Sequence, residues 1–163
     1  MEIAIPRETK NGEHRVCLIP EQVKHLIDAG HKVFLEKDAG TKAGFPDREY
    51  AKVGAQIIPN SEIYDKEMVV RVKEPHLETL RLDQVLMGYL HIEKNQNPEL
   101  RQALLDKSIT SYALEEIRDP QTNHRMVSLG FEAGVVGMFE GLRQYGKILE
   151  KNSQLNPFHN IKT

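Results

Sequence analysis

The stretch MEIAIPRETKNGEHRVCLIPEQVKHLIDAGHKVFLE, Met1 to Glu36, decides the fold. Ile3 and Ile5 flank Ala4 in a short apolar segment. Pro6 stops it, because proline has no amide proton to give to a sheet. A polar loop follows, centred on the turn pair Asn11-Gly12. Pro20 stands where a helix can begin, since the first helical amide needs no acceptor. Val23, Leu26 and Ile27 make an apolar stripe at helical spacing, and Gly30 closes it. Lys32-Val33-Phe34-Leu35 then reads as a second strand. Strand, loop, helix and strand in that order are the unit of a parallel sheet, because parallel neighbours need a crossover.

The pattern recurs outward from there. Asp47 is placed to cap a short helix carrying Tyr50, Ala51 and Val53, with Gly54 at its end. Gln56-Ile57-Ile58 reads as a strand. Asn60 or Ser61 is placed to cap a turn of helix before the strand Met68–Val72. Gln84–Leu90 is another strand. Asn97 and Pro98 open a helix with Leu100, Leu104 and Leu105 inside it, and Ser108–Leu114 is a further strand. This alternation predicts an α/β fold: an open, mostly parallel sheet with helices on both faces. The last third differs. LGFEAGVVGMFEGLRQYGKILEK predicts one long helix with glycines at 130, 134, 137 and 141 on a single face. Glycine in a helix interior costs about 1 kcal/mol, so the stripe needs a reason, such as close approach of another backbone. The tail KNSQLNPFHNIKT has no period.

Bulk composition removes several function classes. The chain has 163 residues, net charge −2, 39% hydrophobic and 28% charged residues, and a sequence pI near 6.4. That balance suits a soluble globular domain and gives no basic surplus for nucleic acid or an anionic membrane. No apolar run approaches the ~20 residues of a membrane span. One cysteine, Cys17, excludes an internal disulfide framework. With no signal-peptide pattern at the start, the expected location is the cytoplasm.

In parallel sheets ligands sit beyond the carboxyl ends of the strands. Lys73 ends one predicted strand and His91 the next. A lysine there either solvates the strand end or neutralises a bound carboxylate. A histidine there either bonds to a loop or acts as general acid or base. Arg15, in the loop that leaves the first strand, can grip a carboxylate through two parallel hydrogen bonds or remain solvated. Glu13 is either a surface group or an ion-pair partner, and Glu74 either orients Lys73 or solvates its loop. Cys17, between Val16 and Leu18, reads as buried and inert. The histidines show no metal-ligand spacing, so no metal is expected. The run GFEAGVVG matches neither GxGxxG nor a P-loop, and no other dinucleotide fingerprint occurs.

Taken in order, IPRETKNGEHRVCLIPEQVKHLIDAGHKVFLEKDAG, VRVKEP and GYLHIEKN resemble the amino-terminal domain of the alanine dehydrogenase and transhydrogenase alpha-subunit family. The resemblance covers roughly Met1 to Gly146. It implies a flavodoxin-like substrate domain, with residues 1–150 as the substrate-binding and catalytic part and 151–163 as linker or tail. It implies that Arg15 and Lys73 bind the carboxylate and carbonyl region of a small 2-oxo acid or amino acid, and that Lys73 and His91 are the catalytic pair. RMVSLGFEAGVVG is similar to a later motif of saccharopine dehydrogenases. That implies Arg125 as a second carboxylate-binding residue, with Leu129 in place of the usual aromatic.

Such enzymes use NAD or NADP held by a Rossmann domain. The expectation here is that this cofactor domain is absent from the chain. The nicotinamide would then be bound by a separate domain or subunit. Two functions follow from the resemblance. One is the substrate domain of an amino-acid dehydrogenase that reductively aminates a 2-oxo acid or runs the reverse. The other is a non-catalytic module that binds an amino or oxo acid. Self-assembly into a homo-oligomer is compatible with both.

Overall fold

The computed structural model describes residues 1–93 and 96–161. The Lys94-Asn95 end of the GYLHIEKN motif and the last two residues of the tail lie outside that set. The chain divides into two compact units, Met1–Ile117 and Arg118–Thr163.

The first unit carries six strands: β1 (Glu2–Ile5), β2 (Lys32–Glu36), β3 (Gln56–Ile58), β4 (Met68–Val70), β5 (Val85–Gly88) and β6 (Thr110–Ala113). Among the described residues it has four α-helices, besides short 3-10 turns: α1 (Pro20–Asp28), α2 (Asp47–Lys52), α3 (Asn60–Ile63) and α4 (Pro98–Asp106). The sheet order is β3-β2-β1-β4-β5-β6, and every pairing is parallel. Set β3 aside and the order is the flavodoxin-like one; β3 extends the edge beside β2.

Side-chain alternation along the strands builds a core on each face. Ala4 and Phe34 point to one side, with Val69, Leu86, Ile63 of α3, and Leu100 and Leu104 of α4. Ile5, Val33 and Leu35 point to the other, with Val23 of α1 and Tyr50 of α2. Each fully buried side chain of this size contributes about 1.5–3 kcal/mol. Helices therefore do cover both faces.

Several local expectations hold. Pro20 and Pro98 sit in the first turns of their helices, and Asn97 caps α4 by accepting from the Leu100 amide. Two caps are displaced by one residue. Pro46 and Pro59 occupy the N-cap positions, so Asp47 and Asn60 are already helical. Their side chains reach elsewhere: Asp47 accepts from the Asp38 amide, and Asn60 donates to the buried Glu36 carboxylate.

Winding reverses at β1, which has β2 on one side and β4 on the other. Loops leaving the carboxyl ends of β1 and β4 diverge at such a point and leave a crevice. The loops that follow β1, β4 and β5 carry Arg15, Lys73 and His91.

The second unit holds one long helix, α5 (Gly130–Lys151). A methyl group added at Gly134, Gly137 or Gly141 would meet nothing within 4 Å. Gly146 differs: the Asn156 side chain lies where its Cβ would be. That contact, and the Tyr145–Phe158 ring pair at 6.3 Å, bring the segment after α5 back against its end.

Candidate active site

The site grows out of three loops. The first leaves β1 and bends at a turn closed by the Glu13 amide on the Lys10 carbonyl, at 3.0 Å. Gly12 takes φ +77° there, as the third residue of a type II turn requires. The turn delivers Glu13 to Arg15. Nε donates to Oε1 at 2.8 Å and Nη2 to Oε2 at 2.6 Å, a two-pronged pair. Glu13 is thus the ion-pair partner of Arg15. Its side chain is 8% exposed while that of Arg15 is 46% exposed. Hydrogen bonds from Arg15 push the Glu13 carboxyl down to about 2, although burial opposes them, and the Lys73 charge adds to the lowering. The same pairing raises Arg15 against a desolvation that lowers it, and Tyr89 and Glu8 act in the same direction as Glu13. Arg15, Glu13, Lys73, Glu8 and Tyr89 therefore share one electrostatic neighbourhood.

The second loop carries Lys73. Sequence pattern predicts a strand running to Val72; β4 ends at Val70. The reason is Glu8. Its carboxylate accepts from the Val72 amide at 2.6 Å and from the Lys73 amide at 3.3 Å, drawing both out of the ladder. Its Oε2 also takes the Arg71 guanidinium at 3.1 Å. Both side chains are shut off from solvent, 3% and 1% exposed. Opposite, Gly88 permits a tight approach, since a Cβ there would lie 2.8 Å from the Arg71 carbonyl oxygen. The β1 and β4 loops are tied again by Thr9 Oγ1 and His76 Nε2 at 2.9 Å. Pro75 is buried.

The third loop carries His91, and β5 likewise ends early, at Gly88. His91 has a left-handed backbone, φ +50°, uncommon for a residue with a side chain. Glu115 holds it there, accepting from the His91 amide at 2.6 Å and the Leu90 amide at 3.2 Å. The imidazole lies between two carboxylates, with Nδ1 3.8 Å from Glu115 and Nε2 3.6 Å from Glu74. Glu74 in turn faces Lys10 at 3.6 Å. Glu74 thus faces the histidine and Lys10 across the loops.

Arg15, Lys73 and His91 accordingly lie on adjoining loops of one unit. Arg125 lies in the second unit, at a short antiparallel bridge with Arg118. Glu8 and Glu115 escape sequence reading, because an acidic residue in a polar loop looks the same whether it clamps a backbone or faces water. A polar cavity of about 280 Å³ opens beside Arg15, lined also by Arg7, Glu8, Glu13, His14 and Lys42. Lys73 and His91 do not line it. Cys17 is part-buried and donates to the Val70 carbonyl at 3.0 Å; desolvation pushes its thiol up to about 12, which keeps it protonated at neutral pH. Among the described residues no group of three His, Cys, Asp or Glu side chains could hold a metal ion. No helix is long and apolar enough to cross a membrane among those residues.

The winding reversal at β1 is where a doubly wound sheet takes a dinucleotide, by a glycine-rich turn opening the first helix. Here that turn is the charged Arg7–Ile19 segment, and α1 opens on Ile19-Pro20 without a glycine. These residues do not fit a nicotinamide dinucleotide.

Residues 4–136 match the family described as alanine dehydrogenase/PNT, N-terminal domain. The alanine dehydrogenase of Methanococcus maripaludis is 42% identical over 123 residues, covering 72% of this chain and 32% of that protein. That of Bacillus subtilis is 41% identical over 138 residues, covering 82% and 36%. The chain thus spans about a third of the length of these relatives. A solved L-alanine dehydrogenase superposes with a TM-score of 0.77 at 36% identity, over 93% of this chain and 42% of that one. A transhydrogenase from Sinorhizobium meliloti shares the fold, with a TM-score of 0.67 at 22% identity over 92% of this chain and 43% of that one. With the sheet, the loops and the match over residues 4–136 in agreement, the chain belongs to the alanine dehydrogenase/PNT N-terminal domain family.

Proposed function

We propose that this chain is the substrate-binding and catalytic part of an amino-acid dehydrogenase of the alanine dehydrogenase type. It would act on a small 2-oxo acid and the matching amino acid, with pyruvate and alanine the first pair to test. The observation that supports this reading is that Arg15, Lys73 and His91 all belong to loops that follow the adjacent strands β1, β4 and β5. The relatives named alanine dehydrogenase favour the alanine type over the saccharopine type.

The chemistry assigned to each residue follows from its charge and setting. Glu13 occupies the Nε and Nη2 donors of Arg15, leaving the Nη1 edge for a substrate carboxylate. Lys73 places a second cation near by, where it can donate to the carbonyl oxygen of a 2-oxo acid. His91, flanked by Glu74 and Glu115, would move a proton as that oxygen gains or loses one. The substrate is anionic and its neutralisation needs both cations. Hydride must come from a nicotinamide held by residues other than these.

Calorimetry of the chain with pyruvate, alanine, 2-oxoglutarate and lysine tests the reading. Saturable binding of pyruvate or alanine, lost in Lys73→Ala and in Arg15→Ala, is expected. Equal binding by wild type and Lys73→Ala would overturn the site. Adding a cofactor-binding partner polypeptide with NADH or NADPH and ammonia then tests turnover. Binding without turnover in any such mixture would favour a non-catalytic module.

A further inference from the structure

Glu8 is among the most enclosed charged side chains in the first unit, and it has a job that its ion pair alone does not explain. Its two oxygens serve three donors: the Arg71 guanidinium, the Val72 amide and the Lys73 amide. The last two belong to the peptide that carries the proposed substrate lysine. A buried carboxylate that only neutralised Arg71 would not need to face that peptide. Backbone amides leaving a parallel ladder normally turn to water or to the next strand. Here they turn to a side chain from a loop that lies 64 residues earlier in sequence.

We propose that Glu8 is the positioning residue for Lys73. It fixes the Val72–Lys73 peptide so that the lysine side chain leaves the loop toward Arg15 and Glu13, and Arg71 supplies the countercharge that lets a carboxylate sit in that enclosed place. This rests on Lys73 being a substrate residue. Three features agree with it. Both partners of the pair are nearly solvent-free, so the clamp sits where its bonds are strong and their loss is costly. Gly88 lets the Arg71 backbone come close to β5, which holds the other side of the same peptide segment. The Arg71 amide donates to the Met87 carbonyl at 3.0 Å, and the Tyr89 amide to the Val72 carbonyl at 3.2 Å, so Val72 is held through both its carbonyl and its amide. The lysine loop is thus fixed by β5 and by Glu8 together, and of the two only Glu8 engages the Lys73 amide.

The variants Glu8→Gln and Glu8→Asp test it, made in the full chain and in the Lys73→Ala background. Glutamine keeps the shape, but one of its two heads is an amide donor. It cannot accept from Arg71, Val72 and Lys73 together, so two donors must face each other. Aspartate keeps the charge and withdraws it by one methylene, so partial recovery is expected. Losing one hydrogen bond between a cation and a bound anion weakens binding by about tenfold to a hundredfold. Pyruvate is therefore expected to bind about tenfold to a hundredfold more weakly to Glu8→Gln. The decisive comparison is the double variant. If Glu8 acts through Lys73, adding Glu8→Gln to Lys73→Ala leaves pyruvate affinity where Lys73→Ala alone put it. Additive losses, or wild-type affinity in Glu8→Gln, would overturn the proposal. Denaturant midpoints in both backgrounds account for any loss of folding.

Amide exchange separates this idea from the functional reading. Val72 and Lys73 amide protons are expected to be protected in wild type and to exchange at least tenfold faster in Glu8→Gln. If wild type binds no oxo or amino acid, the functional reading fails. Faster exchange in the variant would then still support the clamp, and unchanged exchange would overturn it.

Discussion

Replacing Glu13 by glutamine should change the acid stability of the fold by an amount that the pairing itself dictates. The folded carboxyl titrates at about 2, against an ordinary value of 4.5, with the Arg15 hydrogen bonds as the main cause. At about 1.36 kcal/mol per pH unit, the full difference is worth roughly 3 kcal/mol. Arg15 is nearly half exposed, so solvent screening brings the expected contribution to about 1–2 kcal/mol. The sign follows from linkage. A carboxyl whose folded pKa is depressed stabilises the fold above its unfolded value. That stabilisation disappears as pH falls through the folded value. Urea unfolding of wild type and Glu13→Gln at pH 7, 5, 4, 3 and 2 measures it. Wild type should exceed the variant by about 1–2 kcal/mol at pH 7 and 5. The gap should shrink between pH 4.5 and about 2. A gap that does not vary with pH would refute the assignment of Glu13 as the ionised partner of Arg15.

Other consequences can be tested in the same way. Gly88→Ala places a methyl 2.8 Å from the Arg71 carbonyl; it should destabilise the fold by about 1–3 kcal/mol in chemical denaturation and weaken pyruvate binding with it. Gly134→Ala meets open space and should stabilise α5 by about 1 kcal/mol, read as a rise in denaturant midpoint. Loss of stability there would mean that another backbone occupies that face. Cys17, with its thiol pushed up to about 12, should react with a disulfide reagent at pH 8 at least a hundredfold more slowly than the unfolded chain's thiol, at about 1.36 kcal/mol per pH unit, measured by thiol titration over time.

The fold was legible because each strand and helix of the first unit announces itself locally. Val33-Phe34-Leu35 is a buried parallel strand, the α1 stripe has helical spacing, and Pro20 and Pro98 mark starts. Strand ends were less legible. Met68–Val72 and Gln84–Leu90 are mostly apolar runs that read as strands to their last residue, but the amides of residues 72, 73, 90 and 91 are captured by Glu8 and Glu115. Those captures come from residues 24 to 65 positions away, and no local pattern encodes them. Asp47 and Asn60 resemble caps by type, yet a proline stands before each and takes the capping position. Arg15, Lys73 and His91 were readable as candidates because strand-end position is a topological fact. Glu13 was readable as a possible ion-pair partner, and it does pair with Arg15; the backbone clamps Glu8 and Glu115 were not, because burial of a carboxylate is decided by tertiary structure.

The left-handed backbone at His91 determines what a fair chemical control looks like. At φ +50° an alanine or glutamine would carry a conformational cost along with its missing imidazole, and any loss of activity would mix the two. Asparagine visits that region far more readily. His91→Asn therefore removes the imidazole proposed to transfer the proton, with the least disturbance of the chain path. Activity lost in His91→Asn with substrate affinity intact would isolate chemistry from architecture at this position, whereas the alanine variant confounds them.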